Sequence, residues 1–249
     1  MIGTMATELD KLIKQATLIK QLENKYKDKL ENDLRLRPSV GSFSLVSCAD
    51  KTSQGGWSKI VSEGGLNRAF EKTIPKPGRN VPEKKLQSWL IREARKEAGK
   101  IKSISDILGD QFWFVSDEIA ISDPATKKKF VADMLLVRVD SKNLAQLVNV
   151  ELKYQRSMDT FKQVIKFREV LENSKLRPAW QQFAEIMTGR TFQWPPSQEK
   201  TNGLVIWPMA DSPSRALANK KRAEYERIRV LGFTKKGTKA ETRYLFKLE

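Results

Sequence analysis

The sequence predicts an α/β protein with a mixed central β-sheet flanked by helices. Three strand patterns run in close order between Gln111 and Gln155. Their connections are too short for helical crossovers, so they are expected to be antiparallel neighbours. A helical pattern precedes them and two more follow. After those helices comes "NGLVIWP", Asn202 to Pro208, a mostly apolar run of the kind buried on both faces of a sheet. Helices that lead back to such a strand form a crossover, which makes the sheet mixed.

Residues 6–37 contain no Gly or Pro, and Leu9, Leu12, Ala16, Ile19, Leu22, Tyr26 and Leu30 recur at three-to-four spacing. This predicts one long amphipathic helix as an N-terminal extension over 1–37, with Thr7 as a cap and Pro38 as the stop. Residues 38–80 are rich in Gly, Ser and Lys and predict a loop-rich insertion or linker, with a short strand around "SFSLVSC". The main domain is expected over 81–249. It opens with the helix "VPEKKLQSWLIREARKEAG", in which Pro82 suits the first turn, Glu83 the positive end and Gly99 the stop. Leu86, Trp89, Leu90 and Ala94 form its apolar side. The strands "QFWFVSDEIAIS", "KKFVADMLLVRVD" and "NLAQLVNVELKYQ" come next, then the helices "MDTFKQVIKFREVLEN" and "RPAWQQFAEIMTG". Beyond "NGLVIWP" lie a basic helix over 214–227 and the strands "IRVLGFT" and "TRYLFKLE".

The 249 residues suffice for one large domain or two small ones. With 39% hydrophobic and 31% charged residues the chain reads as globular. No apolar run approaches the roughly 20 residues of a membrane span, and the first residues lack the apolar centre of a secretory signal. The single Cys48 forms no internal disulfide and fits a reducing, cytoplasmic setting. There is no histidine, which removes Ser-His-Asp and Cys-His catalysis and His-based zinc sites. Catalysis is left to carboxylates, lysine or a hard metal with oxygen ligands. The net charge of +16 points to a polyanionic partner, most often nucleic acid.

The chemistry-bearing stretch is "VNVELKYQ". Glu151 and Lys153 stand two apart and therefore share one face at the end of an apolar strand. Asp133 lies on the preceding strand, placed to approach Glu151 across the hairpin. Two converging carboxylates repel unless a cation sits between them, and Mg2+ is the natural occupant. Lys153 is then placed to stabilise or deprotonate a water aimed at phosphorus. A solvated surface ion pair is the plain alternative for Glu151 and Lys153. A simple helix-terminal charge is the alternative for Glu83. The basic segment from Asn219 to Arg229 serves as a solvated face or as a contact to DNA. Trp194 is the tryptophan expected to be exposed, with base stacking as its functional reading.

At Asp133 in "VADMLL" and Glu151-Leu152-Lys153 in "VELKYQ", the chain resembles the PD-(D/E)XK nuclease superfamily. The family usually adds a glutamate on the helix before the first strand. Glu83 fills that place, with Glu93 as a competitor about three turns further on. Ala132 stands where the family often has proline. The resemblance spans residues 82 to about 208. It implies a restriction-endonuclease-like core in the order αβββαβ and a nuclease hydrolysing DNA phosphodiesters. Its catalytic residues would be Asp133, Glu151, Lys153 and Glu83. Its Mg2+, with Mn2+ as substitute, would be held by Asp133, Glu151, Glu83 and the Leu152 carbonyl. It also implies DNA, chiefly duplex, as partner, contacts from Gln155, Lys220, Lys221 and Arg222, and a homodimer to cut both strands. Two other readings stay open: a non-catalytic nucleic-acid-binding module, and an assembly protein organised by the N-terminal helix.

Overall fold

The computed structural model describes residues 2–30, 34–47, 58–71, 82–123, 128–196, 201–210, 218–220, 227–237 and 242–249. Cys48, Trp57 and most of the basic helix expected over 214–227 lie outside these residues. Helix α1 spans Ile2–Lys25. Its stripe is buried as expected, from Leu9 through Leu22. The helix stops at Lys25, earlier than the sequence reading placed it, and a short 3-10 turn follows over Lys27–Lys29. Strand β1, Leu34–Ser39, then takes residues assigned above to the helix. The alternation Leu34-Arg35-Leu36-Arg37 has the strand period of two, and Pro38 sits within this strand rather than ending a helix. Strand β1 is at a sheet edge, where proline costs no ladder bond.

Among the described residues, 38–80 hold more structure than a loop-rich linker. β1 pairs antiparallel with β2, Ser42–Ser47, through a turn in which Gly41 supplies φ +75°. β2 pairs with β3, Ser58–Val61, and a short helix α2 follows at Leu66–Glu71. Ile19 and Leu22 of α1 pack into this small sheet with Leu36, Phe43 and Leu45. The other end of the same stripe, Leu9 to Ala16, packs against the main sheet. The helix thus joins the two sheets through one continuous apolar face.

The main sheet has six strands in the order β4-β5-β6-β7-β8-β9. They are β4 Gln111–Asp123, β5 Lys128–Val139, β6 Ala145–Leu152, β7 Asn202–Pro208, β8 Ile228–Gly237 and β9 Thr242–Leu248. The first three are antiparallel, β6, β7 and β8 are parallel, and β9 turns back antiparallel. The sheet is mixed, and helices cover both faces. On one side Met134, Leu136, Val148 and Val150 meet α3, Pro82–Lys96, and α4, Lys102–Leu108. On the other, Leu135, Val137 and Leu147 meet α1, α5, Asp159–Glu172, and α6, Arg177–Thr188. Successive residues of β5 and β6 serve opposite layers, as the pleat requires. α5 lies tight on β7: a Cβ at Gly203 would collide with Val164 Cγ1. α4, which the sequence reading passed over, ends on Gly109 at φ +76°. Among the described residues no helix is long and apolar enough to cross a membrane.

Candidate active site

Strand β5 loses its ladder to both neighbours at one residue. Towards β4 the register pairs Met134 with Asp117 and Ala132 with Ile119, passing over Asp133 and Glu118. Towards β6 it closes at Met134 with Val150. Asp133 therefore stands at a one-pair gap in the β4 ladder and where β5 and β6 part, and side chains supply the bonds that the ladder does not. Its carboxylate accepts the Leu152 N–H at 2.8 Å, and its carbonyl accepts a hydrogen bond from Gln87 Nε2, also at 2.8 Å. On the other side of β6 the sheet continues, with the Lys153 N–H donating to the Ile206 carbonyl at 2.9 Å. The end of β6 is thus held by β7 while it splays from β5, and the gap is filled by charge.

In that gap Lys153 Nζ lies 3.0 Å from Glu151 Oε2 and 3.4 Å from Asp133 Oδ2. Only 4% of the Glu151 side chain is exposed, against 22% for Lys153. Asp133 keeps 27%. The buried end of the cluster is therefore a carboxylate and the open end an acid with an ammonium. A solvated surface pair, the plain alternative above, does not describe Glu151. Burial first, and then the charge of Asp133, push the Glu151 carboxyl up to about 8, with Lys153 opposing but not prevailing. Burial by itself lowers the Lys153 ammonium, but Asp133, Glu151 and Glu83 outweigh it and hold it above the ordinary lysine value.

Glu83, in the first turn of α3, accepts the Tyr154 N–H at 3.2 Å and so reaches the segment leaving β6 just past Lys153. Its competitor Glu93 is committed elsewhere: its carboxylate accepts the Ser103 N–H at 2.8 Å and Oγ at 2.5 Å, at the start of α4. Asp133, Glu151, Lys153 and Glu83 are therefore gathered at one end of the sheet. Gln155 is exposed one residue beyond Tyr154. Lys220 is exposed in the helical residues 218–220, while Lys221 and Arg222 lie outside the described residues. Trp194 is half-buried rather than exposed; its Nε1 donates to Glu185 at 2.9 Å and its ring meets Phe192.

The sequence reading missed a second set of charges against the first. Asp117 is buried under Arg35 and Arg37 of β1, with Arg37 Nη1 at 3.4 Å from Asp117 and 2.5 Å from Glu118. Burial pushes the Asp117 carboxyl up, but the two arginines outweigh it and hold it below the ordinary value. Lys84 pairs with Glu118. The only local signals were the period of two in "LRLR" and the acid pair in "SDE". Neither says that residues 35, 84 and 117 meet.

The donor chemistry suits a hard cation: two oxygen-bearing carboxylates share one ammonium, and one of them holds its proton to about 8 when no cation replaces it. Among the described residues no three Asp, Glu, His or Cys side chains form a ready group for a metal. Glu83 has turned to the Tyr154 amide, so a third carboxylate is beside the pair rather than part of it. The chain matches no protein-family model, none of the curated proteins and none of the solved structures.

Proposed function

We propose that the protein is a Mg2+-dependent endonuclease that hydrolyses DNA phosphodiester bonds, with Mn2+ able to substitute. The observation that carries this reading is the pair of carboxylates, Asp133 and Glu151, that share the single contacting ammonium of Lys153 where β5 and β6 part. The order α3, β4, β5, β6, α5 and α6, β7, with the short α4 inserted between α3 and β4, supports reading the core as restriction-endonuclease-like. The chain's charge of +16 favours a polyanionic substrate.

In this reading Asp133 and Glu151 hold the ion, with the Leu152 carbonyl and Glu83, direct or through water, completing its oxygen set. A bound Mg2+ supplies polarisation of a phosphoryl oxygen and a lowered pKa for its water. Lys153, fixed by both carboxylates, orients the attacking water at phosphorus as the P–O bond to the leaving oxygen breaks. Its ammonium also offsets charge that builds on the phosphoryl oxygens. To serve as a ligand, Glu151 would release its proton to solvent. Two copies of the chain would serve the two strands of a duplex.

A second reading, a nucleic-acid-binding module without chemistry, is favoured by the lack of a ready three-ligand group among the described residues. Plasmid and single-strand cleavage with Mg2+, Mn2+ or EDTA, run beside Lys153→Ala, separates the two. The nuclease predicts metal-dependent cutting that the substitution abolishes. Binding that persists unchanged in Asp133→Ala, with no cutting of any substrate, would sink it in favour of the module.

A further inference from the structure

We propose that Glu118 and Lys84 are positioning residues for this metal site: they clamp the start of α3 over it, braced from behind by β1. The inference rests on the metal-site reading above and adds residues to it. Glu118 lies in the interior of β4, yet its φ is +48°, in the left-handed region that costs free energy for any side chain. Such a conformation persists where its surroundings over-determine it. Here both carboxylate oxygens are engaged, Oε1 by Lys84 and Oε2 by Arg37 at 2.5 Å.

The clamp acts on the site through one and a half turns of helix. Glu83 accepts the Tyr154 N–H, Lys84 grips Glu118, and Gln87 donates to the Asp133 carbonyl. Lys84 Nζ also donates to Gln87 Oε1 at 3.2 Å, which orients the amide that holds Asp133. Each contact ties α3 to a different strand or strand exit, and the Lys84 tie is the one between full charges. Arg37 divides its guanidinium between Glu118 and Asp117, and so carries the small N-terminal sheet into the same network. That sheet is a buttress of the site, reaching it through Glu118, Lys84 and Gln87 to Asp133.

Partners that orient metal ligands typically change affinity about 10–100-fold when removed. Glu118→Gly deletes the carboxylate while relieving the backbone, so the strain released offsets part of what Arg37 and Lys84 lose with their partner. Lys84→Met removes the other half of the clamp and keeps its aliphatic length. The test is Mn2+ titration calorimetry on the full chain, with hydrogen exchange over residues 82–90 and a melting curve for each variant. Lys102→Met, on an exposed pair of α4, is the control. The expected result is Mn2+ affinity lowered about tenfold or more in both variants, with faster exchange over 82–90 and a cooperative melting transition retained in each. Parental affinity and parental exchange in both variants would overturn the inference. If the parent chain takes up no Mn2+, the metal-site reading falls by itself. Exchange over 82–90 then decides the clamp: unchanged exchange overturns it too.

Discussion

Asp117 on β4 and Glu151 on β6 are buried carboxylates on the two strands that flank β5, and their surroundings differ in the balance of charge. Around Asp117 and Glu118 stand three cations, Arg35, Arg37 and Lys84. Among the described residues, Glu151 meets the acid Asp133 and one contacting cation, Lys153, with Glu83 acting on Lys153 and Lys84 shared electrostatically between Asp133 and Asp117. Burial acts on both carboxyls in the same direction, yet one is held below its ordinary value and the other is pushed up to about 8. Burial alone therefore does not decide the charge state; the count and geometry of the partners do. A carboxylate with cations to spare is a strut. A carboxylate short of cations has room for one more, and that makes it a candidate ion site.

The comparison breaks most visibly in activity. Asp133→Ala and Lys153→Ala should each lower Mg2+-dependent cleavage about 10²–10⁴-fold, as read on supercoiled plasmid. EDTA should stop the parent protein altogether. Replacing acid by amide in the two clusters should then give opposite signs. Asp117→Asn leaves Arg35 and Arg37 buried against a neutral group and should cost about 3–5 kcal/mol in denaturant unfolding. Glu151→Gln removes a charge that the metal-free protein holds at a cost, so it should raise stability in EDTA at alkaline pH. Destabilisation by both substitutions to the same degree would show that the two clusters do the same work.

Acidity sharpens the contrast. The Glu151 carboxyl stands near 4.5 unfolded and about 8 folded, so the folded state holds its proton longer. The stability this contributes is full below pH 4.5 and is lost as pH rises to about 8, on a scale of about 1.4 kcal/mol per pKa unit. Asp117 runs the other way: its contribution is present above its unfolded value of 3.8 and fades as pH falls below it. Melting curves of metal-free protein should therefore decline from mildly acidic to alkaline pH, and Glu151→Gln should flatten that decline. Calorimetry at pH 7 in buffers of different ionisation heat should record proton release when Mg2+ binds. The smallest effect is expected at Gln87→Met, where one hydrogen bond to the Asp133 carbonyl is lost, about 1 kcal/mol.

Much of the main domain was legible. The boundaries of β4, β5 and β7 fall within one or two residues of their patterns, because apolar alternation and short connections are local properties. The gathering of Asp133, Glu151 and Lys153 was legible for the same reason: a hairpin and a period of two place them without help from the rest of the chain. The end of α1 was not. Good helix formers continue through residues 26–37, and the strand period of "LRLR" appears only when β2 is there to pair with it. Glu118 read as one acid among many on a strand, since nothing in "SDE" announces a left-handed backbone.

The sequence by itself determined the α/β class, the positive charge, the exclusion of histidine chemistry, and the acid–base triplet at the end of β6. Those follow from residue type and near-neighbour spacing. Only the tertiary structure decided that Glu151 is buried, that β5 parts from β6 at Asp133, and that Arg35, Arg37, Lys84 and Glu118 stand behind the site. Burial and charge balance depend on groups far apart in the chain, and these come within a few ångströms only when the two sheets and α3 pack together.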